Sequence, residues 1–252
     1  MCLRLAGLMA PGHSLARAHS WGGLNRVILE RPVTGALVDL DALPPHPLPE
    51  KTLGELRHRF PNLSLVLLVR GERDPFALFR LGKAGIENLV LLSVEDLRYQ
   101  LARTLARAGE DSATSMILRA LSPMLPRREV EVIRFAMDSV HRMWSAEELA
   151  QEIGLTRPYL SERLKAVGLP SLGHFLIWSR LFHAGHWLEE PGRTGESVGR
   201  QLEYSSGAAF RRALKLYTGA TPTEVRERGG LRLVFRRFSQ EHRLRGRGVL
   251  CA

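Results

Sequence analysis

The sequence predicts two domains of different class: an incomplete α/β domain with parallel strands in residues 1–108, and an all-α domain in residues 127–229 that holds two helix-turn-helix units joined by a linker helix. Three observations predict this. Short apolar runs alternate with amphipathic stretches between Gly35 and Ser93. Strand signals vanish from Arg127 onward, where helical periodicity with capping residues runs to about Arg228. A small, polar stretch, Gly109-Glu110-Asp111-Ser112-Ala113-Thr114, separates the two patterns.

Ala36-Leu37-Val38-Asp39-Leu40 and Leu63-Ser64-Leu65-Val66-Leu67-Leu68-Val69 read as strands of a parallel sheet. Leu53, Leu56 and Phe60, spaced by three and four, place a helix between them. A helix over 75–84 leads through Gly85 to a strand over 88–92, and a last helix covers 94–108. Residues 109–126 read as a linker with a short helix at about 115–126, stopped near Pro123 and Pro126. Residues 230–252 read as a basic C-terminal tail, whose Arg236-Arg237 and Arg243, Arg245 and Arg247 either touch phosphates or belong to a solvated terminus.

The net charge of +10 in 252 residues attracts an anionic partner, with nucleic acid the first candidate. The excess is mainly C-terminal: residues 111–252 hold 22 Lys and Arg against 15 Asp and Glu. Cys2 and Cys251 lie at the two ends, which excludes a disulfide framework and a four-ligand zinc site and points to a reducing, cytoplasmic setting. His13 and Arg17 interrupt the N-terminal apolar stretches, so neither a secretion signal nor a membrane span is expected. There is no phosphate-cradling glycine loop and no nucleophile elbow. His183, His186 and Glu189 sit at helical spacing as neighbours in a packed helix rather than as metal ligands. No enzyme activity, cofactor or metal is expected.

Ser145-Ala146-Glu147-Glu148 has the form of a capping box at a helix start. Leu149 and Ile153 give that helix its apolar face, and Gly154 turns the chain. Thr156 can cap a second helix, with Pro158 tolerated in its first turn. Leu160 and Leu164 pack back, which leaves Arg157, Pro158, Ser161, Glu162 and Lys165 outside. The second unit runs over 197–218: Val198 and Leu202 line a short helix, Ser205 or Ser206 caps the next, and Gly207, Ala208, Arg211, Arg212 and Lys215 face outward. An amphipathic helix over 172–190 joins the units, and Gly219-Ala220-Thr221-Pro222 stops the second. Two short helices with a tight turn form the geometry that puts a helix into the major groove of double-stranded DNA.

These residues, in this order over 127–228, resemble the AraC/XylS family of bacterial transcription regulators. The similar features are the Ser145–Ile153 helix, the Thr156–Lys165 helix, Gly168-Leu169-Pro170, Arg180-Leu181-Phe182-His183-Ala184, Tyr204-Ser205-Ser206, Phe210-Arg211-Arg212-Ala213-Leu214-Lys215, and Gly219-Ala220-Thr221-Pro222 with Arg226. The resemblance implies base reading by Pro158, Ser161 and Glu162 in the first unit and by Gly207, Ala208 and Arg212 in the second. Arg157, Lys165, Arg211 and Lys215 are expected on phosphates. It also implies an activator that meets RNA polymerase. Glu203 departs from the family pattern, which has glycine there, so a strained second turn is expected.

Residues 35–108 resemble the later part of a response-regulator receiver, a flavodoxin-like α/β fold. The resemblance rests on the strand ending at Asp39-Leu40, Leu43-Pro44, the strand ending at Val69, and Arg80 to Asn88 before the last strand. It places Asp39 at the phosphoacceptor position. Residues 1–34 hold Glu30 as their only acid, Val69 takes the usual hydroxyl position and Ser93 the usual lysine position. Asp39 is therefore expected to be degenerate, and the domain to serve as a homodimer or partner surface. The alternative to a sequence-specific regulator is a pseudo-receiver scaffold with mainly non-specific DNA binding.

Overall fold

The computed structural model describes residues 15–31, 33, 35–42, 49–70, 74–86, 88–91, 112–141, 144–242 and 244, and forms two compact units, Met1–Asp111 and Ser112–Ala252.

The first unit holds three parallel strands, β1 (Gly35–Asp39), β2 (Ser64–Val69) and β3 (Asn88–Leu91), in the spatial order β1-β2-β3. Gly35 pairs with Ser64 and Val66 with Asn88. Parallel neighbours need crossovers, and the described ones are helical: α2 (Pro49–Arg59) precedes β2 and α3 (Pro75–Lys83) precedes β3, while α1 (Trp21–Glu30) precedes β1. Ile28 from α1, Leu53 and Leu56 from α2, and Leu81 from α3 share one cluster with Leu65, Leu67 and Val69. Val66 and Leu68, which alternate with them, are buried as well, so β2 is covered on both faces. This order is compatible with the last three strands of a receiver, and among the described residues no strand precedes β1. The helix expected over 94–108 and Ser93 lie outside the described residues.

The second unit is helical throughout its described residues: α4 (Ala113–Leu121), α5 (Arg127–Asp138), α6 (Ala146–Glu152), α7 (Arg157–Ala166), α8 (Leu172–Leu188), α9 (Gly195–Gln201), α10 (Gly207–Thr218), α11 (Pro222–Glu227) and α12 (Gly230–Glu241). One apolar cluster runs through all of them. Two segments differ from the sequence expectation. Where a linker with a short helix is expected over 109–126, a helix is present, but Ser112 caps it at Ala113 and Ala113, Ile117, Leu118 and Leu121 bury it in this cluster. Where a basic tail is expected over 230–252, α12 buries Leu231, Val234, Phe235 and Phe238. Their spacing by three, one and three is a helical apolar stripe, which the interleaved arginines disguise in the sequence.

α12 runs back along α8. Glu189, at the end of α8, accepts a hydrogen bond from Leu231 N–H (2.8 Å) and so supplies the N-terminal cap that α12 lacks in its own sequence. Burial raises the Glu189 carboxyl above its ordinary pKa. Farther along, Phe238 packs edge-on against Trp178 (5.3 Å) and Phe182 (5.2 Å), and His242 lies 6.3 Å from Trp178. The two backbones meet at Gly185, where a Cβ would lie 2.9 Å from Val234 Cγ2 and 3.0 Å from Leu231 Cα. Gly185→Ala is therefore expected to destabilise the second unit by about 1–3 kcal/mol, the usual cost of overpacking, read as a lower midpoint in urea unfolding.

Candidate nucleic-acid interface

The first unit is built as its caps dictate. Ser145 Oγ accepts from Glu148 N–H (3.2 Å) and Glu148 Oε2 accepts from Ser145 N–H (2.8 Å), a complete capping box at the start of α6. Those bonds hold the Glu148 carboxyl below its ordinary pKa. α6 ends with Leu155 N–H donating to the Ala150 carbonyl and Gly154 N–H to that of Gln151, each at 2.9 Å. This double bond pattern needs a left-handed residue, and Gly154 supplies it at φ +73°. Thr156 stands at the N-cap of α7 but makes no side-chain cap bond. Leu149, Leu160 and Leu164 are fully buried together.

The second unit repeats the plan. Thr194, not Ser197, caps α9: Thr194 Oγ1 accepts from Ser197 N–H (3.1 Å) and Ser197 Oγ from Thr194 N–H (2.9 Å). The start expected at Ser197 is thus the return half of the box. A serine in place of the usual Glu or Gln at that position hid the signal. α9 closes with Tyr204 N–H on the Gly199 carbonyl and Glu203 N–H on that of Arg200, both 3.0 Å. Glu203 therefore occupies the place that Gly154 fills in the first unit, at φ +53°, the one positive φ of a non-glycine among the described residues. Of the two candidate caps for α10, Ser206 acts, accepting from Ala209 N–H (3.1 Å). The Tyr204 ring meets that of Phe210 at 5.3 Å.

α7 exposes Arg157, Pro158, Glu162 and Lys165. Ser161 is half-buried, and its hydroxyl accepts from Leu172 N–H (3.3 Å), which ties α7 to the start of α8. α10 exposes Ala208, Arg211, Arg212 and Lys215, with Gly207 half-buried. Aligning Leu160 with Phe210 and Leu164 with Leu214 puts Glu162 where the second unit has Arg212, and Lys165 where it has Lys215. The electrostatics differ accordingly. Arg157 Nη1 lies 2.5 Å from Glu147 Oε1 and Lys165 Nζ 2.8 Å from Glu162 Oε1. The Arg157 bond draws the Glu147 carboxyl below its ordinary pKa. Among the described residues, no ion pair or side-chain hydrogen bond engages Arg211, Arg212 or Lys215. Leu216, one turn beyond Arg212, is 80% exposed and is a feature that periodicity assigned no role.

Buried charges fix both units to their surroundings. Arg163 of α7 makes two hydrogen bonds to Glu129 Oε1 of α5, one of them at 2.9 Å. At the far end of α8, Arg193 is 1% exposed, pairs with Glu190, donates to Gln201 Oε1 of α9 (2.6 Å) and stacks over the Trp187 ring (5.4 Å). Arg226 of α11 donates to the Leu188 carbonyl (2.7 Å) and to that of Arg193. Spacing alone does not reveal the joint made by Glu190 and Arg193, because such a pair in a polar loop looks solvated until the chain folds around it. His183, read as a packed neighbour, donates to the Met137 carbonyl (3.2 Å).

In the N-terminal unit, Asp39 ends β1. One carboxylate oxygen accepts from Asp41 N–H (3.2 Å) and the other from Arg70 Nη2 (2.5 Å). Arg70 follows β2, and its N–H donates to Asp41 (2.8 Å).

A left-handed backbone costs a non-glycine residue about 1–2 kcal/mol, whereas glycine loses about 0.5–1 kcal/mol more chain entropy on folding. Glu203→Gly is therefore expected to stabilise the second unit by roughly 0.5–1 kcal/mol, read as a higher urea midpoint with an unchanged slope.

The helix-turn-helix domain family matches residues 149–228, about a third of the chain, spanning most of α6 through α11 and leaving α4, α5 and α12 outside. Comparison with curated proteins and with solved structures finds no match. Among the described residues no helix is long and apolar enough to cross a membrane. The capped pair α6–α7, its repeat α9–α10 and the matched family together support a DNA-binding transcriptional regulator, with residues 149–228 similar to a helix-turn-helix domain.

Proposed function

We propose that this chain is a sequence-specific regulator of the AraC type, which inserts α7 and α10 into successive major-groove segments of double-stranded DNA. Half-sites read from one face of the duplex lie about 34 Å apart, one helical turn. The observation that carries the reading is the exposed row Arg211, Arg212 and Lys215 on α10, none of which makes an ion pair or side-chain hydrogen bond among the described residues. Arg212 reads a guanine through its O6 and N7 acceptors, and Arg211 and Lys215 neutralise phosphates. Gly207 and Ala208, small and at the helix start, admit close approach of the bases.

α7 contributes a weaker half. Arg157 and Lys165 must exchange Glu147 and Glu162 for phosphate, so their net gain is smaller. Pro158 offers an apolar contact, Glu162 a carboxylate for a cytosine amine, and Ser161 a hydroxyl already engaged with α8. Activation by contact with RNA polymerase, a cytoplasmic location, and self-association through the N-terminal unit come with the family resemblance. In the same reading the N-terminal unit is a pseudo-receiver in which Arg70 occupies the carboxylate of Asp39. The cation that would otherwise assist phosphoryl transfer is there replaced by this ion pair.

Selection from random duplexes with the purified chain is expected to enrich a motif with two elements one turn apart. Arg212→Ala is expected to relax one base position of that motif by about 1–3 kcal/mol. Arg211→Ala and Lys215→Ala are each expected to lower the slope of log K against log salt by about 0.9 without changing the motif. Salt-sensitive binding with no enriched motif would instead favour the scaffold with non-specific binding.

A further inference from the structure

α12 lies outside the matched family, yet it reaches the helix that carries the reading face. Ala208, Arg212 and Lys215 follow one another by four and three residues and so form one row along α10. Four residues farther stands Gly219, the left-handed C-cap of α10. It has no side chain to continue the row. The guanidinium of Arg237, from the middle of α12, comes to that place: its Nη2 lies 3.9 Å from the point where a Cβ on Gly219 would sit. Arg237 is exposed and, like the cations of α10, has no ion pair or side-chain hydrogen bond among the described residues. The single acid of α12, Glu241, approaches His242 instead (3.7 Å).

The base of this arginine is rigid. α12 is fixed to α8 by Phe238 against Trp178 and Phe182, by the close approach at Gly185, and by Glu189 at its N-terminus. A cation held at the end of the row, on a helix that cannot swing away, complements the charged strand that borders a groove occupied by α10.

We propose that Arg237 binds a backbone phosphate of the DNA strand bordering the groove that α10 enters, so that α12 extends the DNA-binding surface beyond the helix-turn-helix domain. The inference rests on the DNA-reading role of α10 proposed for this chain. A contact of this kind carries no sequence information. It adds affinity and fixes register.

The test uses the full chain and a duplex that it selects, in which single phosphates are replaced one at a time by uncharged methylphosphonates. In the wild-type protein, one replacement beside the α10 half-site weakens binding, and Arg237→Gln is expected to abolish that sensitivity while leaving the others. The rise in Kd between 50 and 200 mM salt is expected to fall about 3.5-fold, the effect of one phosphate contact at a slope of 0.9. Arg237→Lys is expected to keep both properties, and Arg232→Gln, a charge removed elsewhere on α12, to leave the methylphosphonate profile unchanged. An Arg237→Gln protein with the wild-type profile and salt slope overturns the proposal. So does equal weakening at every phosphate together with a lower Tm, which would make Arg237 only a stabiliser of the α10 C-terminus. If the wild-type chain enriches no motif, it is the DNA-reading role of α10 that fails. If it enriches one and Arg237→Gln behaves as wild type, only the contribution of α12 fails.

Discussion

Burial of α8 around most of its surface is the constraint on which the rest of the second unit depends. Thirteen of its seventeen residues are buried, far more than the single stripe of a surface helix. A helix buried around most of its circumference must be enclosed, and each neighbour encloses part of it. α12 takes one side through Phe238, α10 another through Tyr217 on Trp178 (5.3 Å), and α5 accepts His183 through the Met137 carbonyl. Because α8 also connects the two helix-turn-helix units, the packing that hides it holds α7 and α10 in place. The polar ties at its ends, Ser161 on Leu172 N–H and Arg226 on the Leu188 carbonyl, sit where a helix leaves backbone groups unpaired.

The two units share one local plan and differ in charge. Capping boxes at Ser145 and Thr194, matching turns at Gly154 and Glu203, and buried pairs at Leu160–Leu164 and Phe210–Leu214 give nearly the same scaffold twice. On that scaffold the first unit sets acids beside Arg157 and Lys165, whereas Arg211, Arg212 and Lys215 of the second make no ion pair among the described residues. A surface ion pair contributes little to stability, so these acids cost the fold little and act mainly on whatever approaches the surface. In the proposed function this makes the second unit the main anchor and the first a selective partner. The strain kept at Glu203 falls within the stronger unit, between its two helices.

The N-terminal unit obeys a different rule. Its three parallel strands bury both faces of β2, and its polar chemistry gathers at the C-terminal ends of β1 and β2, where open α/β sheets ordinarily place ligands. There Asp39, Asp41 and Arg70 satisfy one another. A carboxylate paired with a guanidinium offers less to an incoming cation than a bare acidic cluster would.

Local chemistry was legible in the sequence because it depends on near neighbours. The capping box at Ser145, the turn at Gly154, the strand positions around Ala36, Leu65 and Val90, and most of the outward faces of α7 and α10 follow from spacing and residue type. Only the tertiary structure decided what long-range packing controls. The arginines of α12 suggested a basic tail that either touches phosphates or is solvated, whereas burial of Leu231, Val234, Phe235 and Phe238 on α8 makes it a core helix. α4, expected as a short helix within a linker, enters the same core. Charge partners were equally hidden: that Arg157 meets Glu147, that Arg193 is sealed against Glu190 and Gln201, and that Arg237 arrives beside Gly219 are facts of distance in space. A sequence fixes periodicity and caps through contacts a few residues apart. The partner of a charge or an apolar face is chosen by how the whole chain closes around α8.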